Sequence, residues 1–205
     1  MSYQLPMVQP SAAKVLPTKK VPLFASNLEA ALFWFAYGLK VIPILAGTKK
    51  ATLSWDPWLE NLSEAKIRAQ WGRYPEHELG FIVGDDLIVF DADSPEAIAA
   101  LDAIEKKHDV VPLLVVKTSK GVHHYNQLPK DAFAKSDSHD SKKHPARIDV
   151  KTGRNQIILP PSTGKTIEVF QANNVDELSE ASQEFIDAVF KHNERKAPRV
   201  AQPGD

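Results

Sequence analysis

An α+β fold with a mostly antiparallel sheet is what this sequence predicts, and three observations carry it. Short apolar segments of strand length follow one another across tight turns. Amphipathic helical stretches stand near both ends and once in the middle. A chain of 205 residues, 43% hydrophobic and 25% charged, can bury one substantial core or two small lobes sharing an interface.

Residues 1–25, rich in Pro, Ser, Lys and Ala without periodicity, read as a flexible N-terminal tail. Ser26 precedes Glu29 at capping-box spacing, and Leu28, Ala31, Leu32 and Phe35 share one face before Gly38 ends the helix. "KVIPIL" follows as a strand, "AGTKKATLSWDPW" as a turn, and a second helix over about 63–73 carries Ile67 and Trp71, completing a first lobe at about 26–78. "LGFIVG" and "DLIVFDAD" read as two strands parted by a Gly-Asp-Asp turn. A helix capped by Ser94, with Pro95 at its first position, then runs to about Lys107. "LLVVKT" and "VHHYNQL" form a strand pair, and "ARIDVKTG", "NQIILP" and "KTIEVF" give three more strands, so that the sheet spans about 79–172. An amphipathic helix at about 179–192 closes a domain of 26–193, and residues 194–205 read as a tail or linker.

The chain has no cysteine, which excludes disulfides and thiolate-bound metals and leaves carboxylates and histidines as ligands for a hard ion. No apolar run approaches the roughly 20 residues that span a bilayer, and the N-terminus lacks a signal-type hydrophobic segment, so the cytoplasm is the expected location and no membrane the expected partner. The formal net charge is -1, but residues 117–165 hold ten Lys and Arg against four Asp, a local excess of +6. Such an excess marks either a solvated loop or a polyanion-binding stripe.

In "LIVFDADSPE", Asp91 and Asp93 project to one side of the strand, their Cα atoms about 6.6 Å apart, within reach of one pair of cations. The local alternative is that Asp91 ends the strand and Asp93 belongs to the turn before Ser94. Asp149 lies between Ile148 and Val150, where an unpaired carboxylate is costly to bury. Its partner is either Arg147 or Lys151 at two-residue spacing, or a metal shared with Asp91 and Asp93. The turn in "KTSKGVHHY" offers backbone amides, Lys117, Lys120 and His123 to a phosphate, or is an ordinary hairpin; His123 and His124 face opposite ways. "STGKT" resembles the end of a phosphate-binding P-loop, but Leu159 stands where the pattern needs Gly and a strand follows where it needs a helix. "SDSHDSKKH", residues 136–144, reads as a polar, flexible excursion, with metal ligation by Asp137, His139, Asp140 and His144 as the alternative.

In order, these pieces resemble the bifunctional primase-polymerase domain of the archaeo-eukaryotic primase superfamily, found in phage, plasmid and mobile-element replication proteins. The family's strand ending in D-x-D is matched by "LIVFDAD", its small residue, any residue and His by Gly121-Val122-His123, and its hydrophobic residue and Asp by Ile148-Asp149. "AYGLKVIPI" with "KKATLSW", the "LGFIVG" strand and "ILPPSTGKTIEVF" are similar to flanking signatures, and coverage runs from about 27 to 172. Lys120 replaces a glycine usual in the second motif, and the Cys-bearing zinc insertion of some relatives is absent between the second and third.

The resemblance implies a two-lobed module with an RNA-recognition-motif-like sheet flanked by helices and an active site between the lobes. It implies nucleotidyl transfer from NTPs or dNTPs on a single-stranded DNA template, with Asp91, Asp93 and Asp149 holding two Mg²⁺ or Mn²⁺ ions and no zinc. His123 is then assigned to the incoming triphosphate, with Ser119, Lys120 and Lys151 as further candidates, and the basic segment 142–154 to template or nucleotide phosphates. A replicative helicase, fused or separate, is an implied partner. Other classes fit the same residues: a catalytically silent nucleotide- or DNA-binding module, a metal-dependent phosphodiesterase, or a structural partner of a helicase.

Overall fold

The structure, a computed structural model, describes residues 19–194, so most of both expected tails lies outside the described residues. In chain order the elements are α1 (Asn27–Ala36), β1 (Lys40–Ile44), α2 (Trp55–Leu59), α3 (Glu64–Arg73), β2 (Glu78–Ala92), α4 (Pro95–Lys107), β3 (Leu114–Lys117), β4 (Val122–Gln127), β5 (Asp149–Ile158), β6 (Thr166–Phe170) and α5 (Gln183–Glu194). Every strand pairing is antiparallel. Among the described residues no helix is long and apolar enough to cross a membrane.

The helices start where side chains satisfy orphan amides. Ser26 Oγ accepts from Glu29 N–H, Ser63 Oγ from Lys66 N–H and Ser94 Oγ from Ala97 N–H. Glu29 reaches back to the N–H of Ala25, one residue outside the cap. The expected "AGTKKATLSWDPW" turn contains the short helix α2, because Trp58 buries its ring and donates Nε1–H to the Val41 carbonyl at 2.7 Å.

β2 is the axis of the sheet. Two strands with a turn at Gly84-Asp85-Asp86 were expected; instead residues 78–92 form one strand, bent at an irregularity where Gly84 lies opposite Gly153. Both glycines have positive φ, 76° and 60°, a conformation that lets the ladder bulge without a reversal. For the same reason "ARIDVKTG" and "NQIILP" are one strand, β5. β5 runs along one side of β2, while the other side is taken by β1 in the first half and β4 in the second. β3 then pairs with β4, and β6 with β3. The unit β2-α4-β3, with β4 inserted between its strands, is a split βαβ. The two expected lobes therefore share one sheet, since β1 of the first pairs directly with β2.

Helices cover both faces. On one, α1, α2 and α3 pack Trp34, Trp58, Ile67 and Trp71 against Phe81, Val89, Val116 and Tyr125. On the other, α4 and α5 pack Leu101, Phe185, Ile186 and Val189 against Ile88, Phe90, Val115 and Val150. Each such side chain, withdrawn fully from water, stabilises the fold by about 1.5–3 kcal/mol. After the bulge the alternation is strict: Leu87, Val89 and Asp91 face the first cluster, Ile88, Phe90 and Ala92 the second. Asp91 thus lies on the α1–α3 face, at the end of the strand.

The start of β5 is held by a single side chain. Asn193, buried near the end of α5, accepts from the Ile148 N–H at 2.9 Å and donates to the Ile148 carbonyl at 2.8 Å. Replacing it with alanine strands two buried backbone groups, at about 1–3 kcal/mol each. Asn193→Ala is therefore expected to lower the unfolding free energy by at least one such increment, read in urea unfolding as a lower midpoint with an unchanged m-value; a wild-type midpoint contradicts this anchoring.

Candidate active site

Strand register brings the three motifs together. Asp91 on β2 is directly opposite His123 on β4 and directly opposite Asp149 on β5. The three side chains form one row across neighbouring strands, all on the α1–α3 face. Directly opposed residues have Cα atoms about 4.5–5.5 Å apart, and like charges so placed repel. Asp93 lies just past the strand end, released from capping because Ser94 serves α4; the Ser94 hydroxyl also donates to the Pro145 carbonyl.

Gly121, the small residue of the second motif, is required by close approach. A Cβ there would lie 1.7 Å from the carbonyl oxygen of Ala92, between the two motif aspartates in sequence. Two amides of this turn are engaged within the chain, in keeping with the ordinary-hairpin alternative. Thr118 Oγ1 accepts from both Lys120 N–H and Gly121 N–H, at 3.1 and 2.9 Å.

Asp91 and His123 of this row open into a cleft of about 460 Å³ between the β1–α2 loop, the 118–121 turn and the 160–165 loop, which Asp149 and Lys151 do not line. Asp91, Asp93, His123, Ser119 and Lys120, all named as candidates from the sequence, line it, and so do Lys49, Thr163, Gly164 and Lys165, which were not singled out. The 160–165 loop is fixed in place: Ser162 Oγ accepts from Leu79 N–H and donates to the Leu79 carbonyl, and buried Glu78 accepts from Thr163. "STGKT" is thus no P-loop, yet its lysine enters the site. Lys165 and Lys49 occur in the "ILPPSTGKTIEVF" and "KKATLSW" segments, whose basic residues were the available signal. A cavity of about 500 Å³ beside the bend of β2, near Gly38, Lys40 and Asp86, receives no motif residue.

Asp91 is the strained member. Burial, the neighbouring Asp93 and, more weakly, Asp149 push its carboxyl up to about 7, against the pull of Lys151 and Lys165. Its Oδ1 is buried without a hydrogen-bond partner. His123 Nε2 lies 3.5 Å away, too far for a hydrogen bond. Burial foremost, then Lys165, Lys49 and Lys151, hold His123 down at about 3, so the imidazole is neutral near pH 7 and the pair is no salt bridge. Burial and Lys49 likewise lower Lys165, partly offset by Asp91 and Asp93.

Asp149 is satisfied within the chain. Lys151 Nζ contacts its Oδ2 at 2.8 Å, the two-residue ion pair anticipated for this strand, and His139 contacts its Oδ1. Lys151 is therefore engaged by Asp149 rather than extended toward the cleft, and Arg154, at the end of the basic segment, pairs with Asp56 at 2.7 Å. The 136–144 stretch, expected as a flexible excursion, is docked: Asp137 and Val150 exchange backbone hydrogen bonds.

An oxygen-only donor set with one orphaned, buried carboxylate oxygen fits a hard divalent ion. The described residues hold one tighter grouping, Asp102, Glu105 and His124, with ligand atoms all within 4.8 Å of one another. It lies on the opposite face of the sheet, and His124 Nδ1 and Glu105 Oε1 already satisfy each other at 2.8 Å in the core. That pair is structural, and the unsatisfied Asp91 is the better ligand.

The raised Asp91 carboxyl has a definite linkage sign. An acid that holds its proton more tightly folded than unfolded loses stability as pH rises from about 4 through about 7. At pH 8 without metal, Asp91→Asn is expected to melt above wild type by about 2–4 °C, the shift of 1 kcal/mol in a chain of this size. Divalent ions should raise the wild-type Tm and leave the variant unmoved; a variant that melts lower in chelator contradicts the account.

No curated protein matches the chain. A protein-family model, bifunctional DNA primase/polymerase, N-terminal, matches residues 31–184, which include all three motifs and the cleft. The chain belongs to this primase-polymerase family.

Proposed function

We propose that this chain is a template-directed nucleotidyltransferase that makes or extends primers on single-stranded DNA in the replication of a phage, plasmid or mobile element, its catalytic unit spanning 26–193. The observation that supports it most is the register that sets Asp91 opposite both His123 and Asp149, with Asp91, Asp93 and His123 on a cleft that Lys49, Lys120 and Lys165 also line. Asp91, Asp93 and Asp149 would hold two Mg²⁺ or Mn²⁺ ions. Such ions, when bound, would supply Lewis-acid activation of a primer 3'-hydroxyl and charge neutralisation for the phosphates and the leaving pyrophosphate.

The chain's own residues do the rest. Neutral His123 presents an N–H donor to a phosphate oxygen without neutralising Asp91. Lys165 and Lys49, with Lys120 at 3.9 Å from Asp93, surround the aspartates with positive charge where a triphosphate would lie. Ser119 adds a hydroxyl at the same turn. Lys151, paired with Asp149 at 2.8 Å, would be a further phosphate donor only if released from that carboxylate. Lys142, Lys143 and Arg147 would track the template backbone, with affinity falling as salt rises.

Primer synthesis and primer extension on single-stranded DNA, with rNTPs and dNTPs in separate reactions, test this reading. Wild type should make product with Mn²⁺ or Mg²⁺, and Asp91→Ala plus Asp93→Ala should make none. Product from the double variant, or none from wild type, removes the catalytic claim; nucleotide release without triphosphate would mark a phosphodiesterase instead. Lys165→Ala should raise KM for the nucleotide on the order of tenfold, the loss of one charge-assisted hydrogen bond, and leave DNA binding unchanged. An unchanged KM takes Lys165 out of the triphosphate site.

A further inference from the structure

Residues 136–140 form a strap along the outer edge of β5. Asp137 N–H donates to the Val150 carbonyl at 2.9 Å, and Val150 N–H to the Asp137 carbonyl at 2.8 Å. Ser136 Oγ donates to the Thr152 carbonyl and accepts from Thr152 N–H. At the other end of the connection, Ser94 holds the Pro145 carbonyl, His192 Nε2 lies 2.7 Å from the Ala146 carbonyl, and Asn193 holds Ile148. Both ends are thus tied independently of what lies between.

Between them, His139 is set on the third motif aspartate. Its backbone N–H donates to Asp149 Oδ1 at 2.7 Å, and its ring Nδ1 lies 3.2 Å from the same oxygen. Its Nε2 faces Asp137 Oδ2 at 3.3 Å, and the ring is 9% exposed. Each ring nitrogen meets a carboxylate, so in either tautomer the imidazole donates to one of them. The other oxygen of Asp149, Oδ2, rests on the Lys151 ammonium, which also contacts Ser138 Oγ. One oxygen is therefore held by the strap's backbone and His139 ring, and the other by the Lys151 ammonium.

We propose that His139 is a positioning residue for Asp149: strap and ring fix Oδ1, so that Oδ2 is the oxygen a divalent ion takes over from Lys151. The inference rests on the two-metal reading above. A ligating carboxylate needs its second oxygen fixed if it is to meet an ion in one geometry, and loss of such an outer partner weakens metal binding by about 10–100-fold. His139 performs this from a segment that the three family motifs do not include.

Direct Mn²⁺ titration of the full chain, followed by electron paramagnetic resonance of the unbound ion, separates the two claims. His139→Ala should bind Mn²⁺ about tenfold more weakly, the low end of that range, because the backbone N–H remains. His139→Asn, whose short amide can donate to the same oxygen, should recover most of the loss. In primer extension the alanine variant should show a raised KM for Mn²⁺ and a near wild-type kcat at saturating metal, with an unchanged circular-dichroism spectrum. Wild-type affinity in His139→Ala, or no recovery in His139→Asn, while Asp149→Asn loses binding, overturns the role of His139 alone. Wild-type affinity in Asp149→Asn overturns the two-metal reading, and this inference with it.

Discussion

The constraint on which the rest of the site depends is the position of Asp91. It lies at the end of the central strand, opposite another carboxylate on one neighbour and an imidazole on the other, and among the described residues its Oδ1 has no hydrogen-bond partner. A core built for stability alone would place an apolar side chain there, since opposed like charges in a buried row weaken a sheet. The surrounding chain is arranged to keep it. Ser94 takes over the cap of α4, Gly121 lets the β3–β4 turn close over Ala92, and Asn193 pins the residue before Asp149. On the two-metal reading, the retained charge repulsion is what a bound cation would relieve.

The two faces of the sheet show the same chemistry resolved in opposite ways. His123 and His124 are neighbours on β4, and each has an acidic residue near it. His124 points into the α4–α5 layer and meets Glu105 at 2.8 Å, both buried, forming a closed pair with no need of a ligand. His123 points to the cleft and stands 3.5 Å from Asp91, leaving both groups with unused bonding capacity. Proximity of ligand atoms alone would select the first pair; hydrogen-bond accounting selects the second.

Much of this was legible from residue order, because strand alternation alone determines which side chains share a face. The D-x-D spacing, the opposite facing of His123 and His124, and the Lys151–Asp149 pairing all follow from a period of two. The register that places Asp91 opposite Asp149 is a long-range fact with no local signature. The Gly-Asp-Asp turn was misread because a glycine beside two aspartates signals a reversal as strongly as a bulge; what decides is Gly153 on the facing strand, some seventy residues on. The 136–144 segment has no apolar residue, and its docking depends on backbone groups of β5 and on the half-buried Asp149, neither visible in its own composition. Lys165 was set aside with the P-loop that "STGKT" fails to be, although its place in the cleft needs only the loop's attachment to Leu79 and Glu78.

The central claim is that Asp91 and Asp149 share a metal across the β2–β5 pairing. A crystal of the protein grown with Mn²⁺, a primed template and a non-hydrolysable nucleotide, with anomalous difference density collected at the manganese edge, tests it most directly. The account predicts manganese bound by Asp91, Asp93 and Asp149, with Lys151 displaced from Asp149 Oδ2 and His139 still on Oδ1. Manganese at Asp102, Glu105 and His124 alone, or none at the aspartate row while the nucleotide is bound, would contradict it.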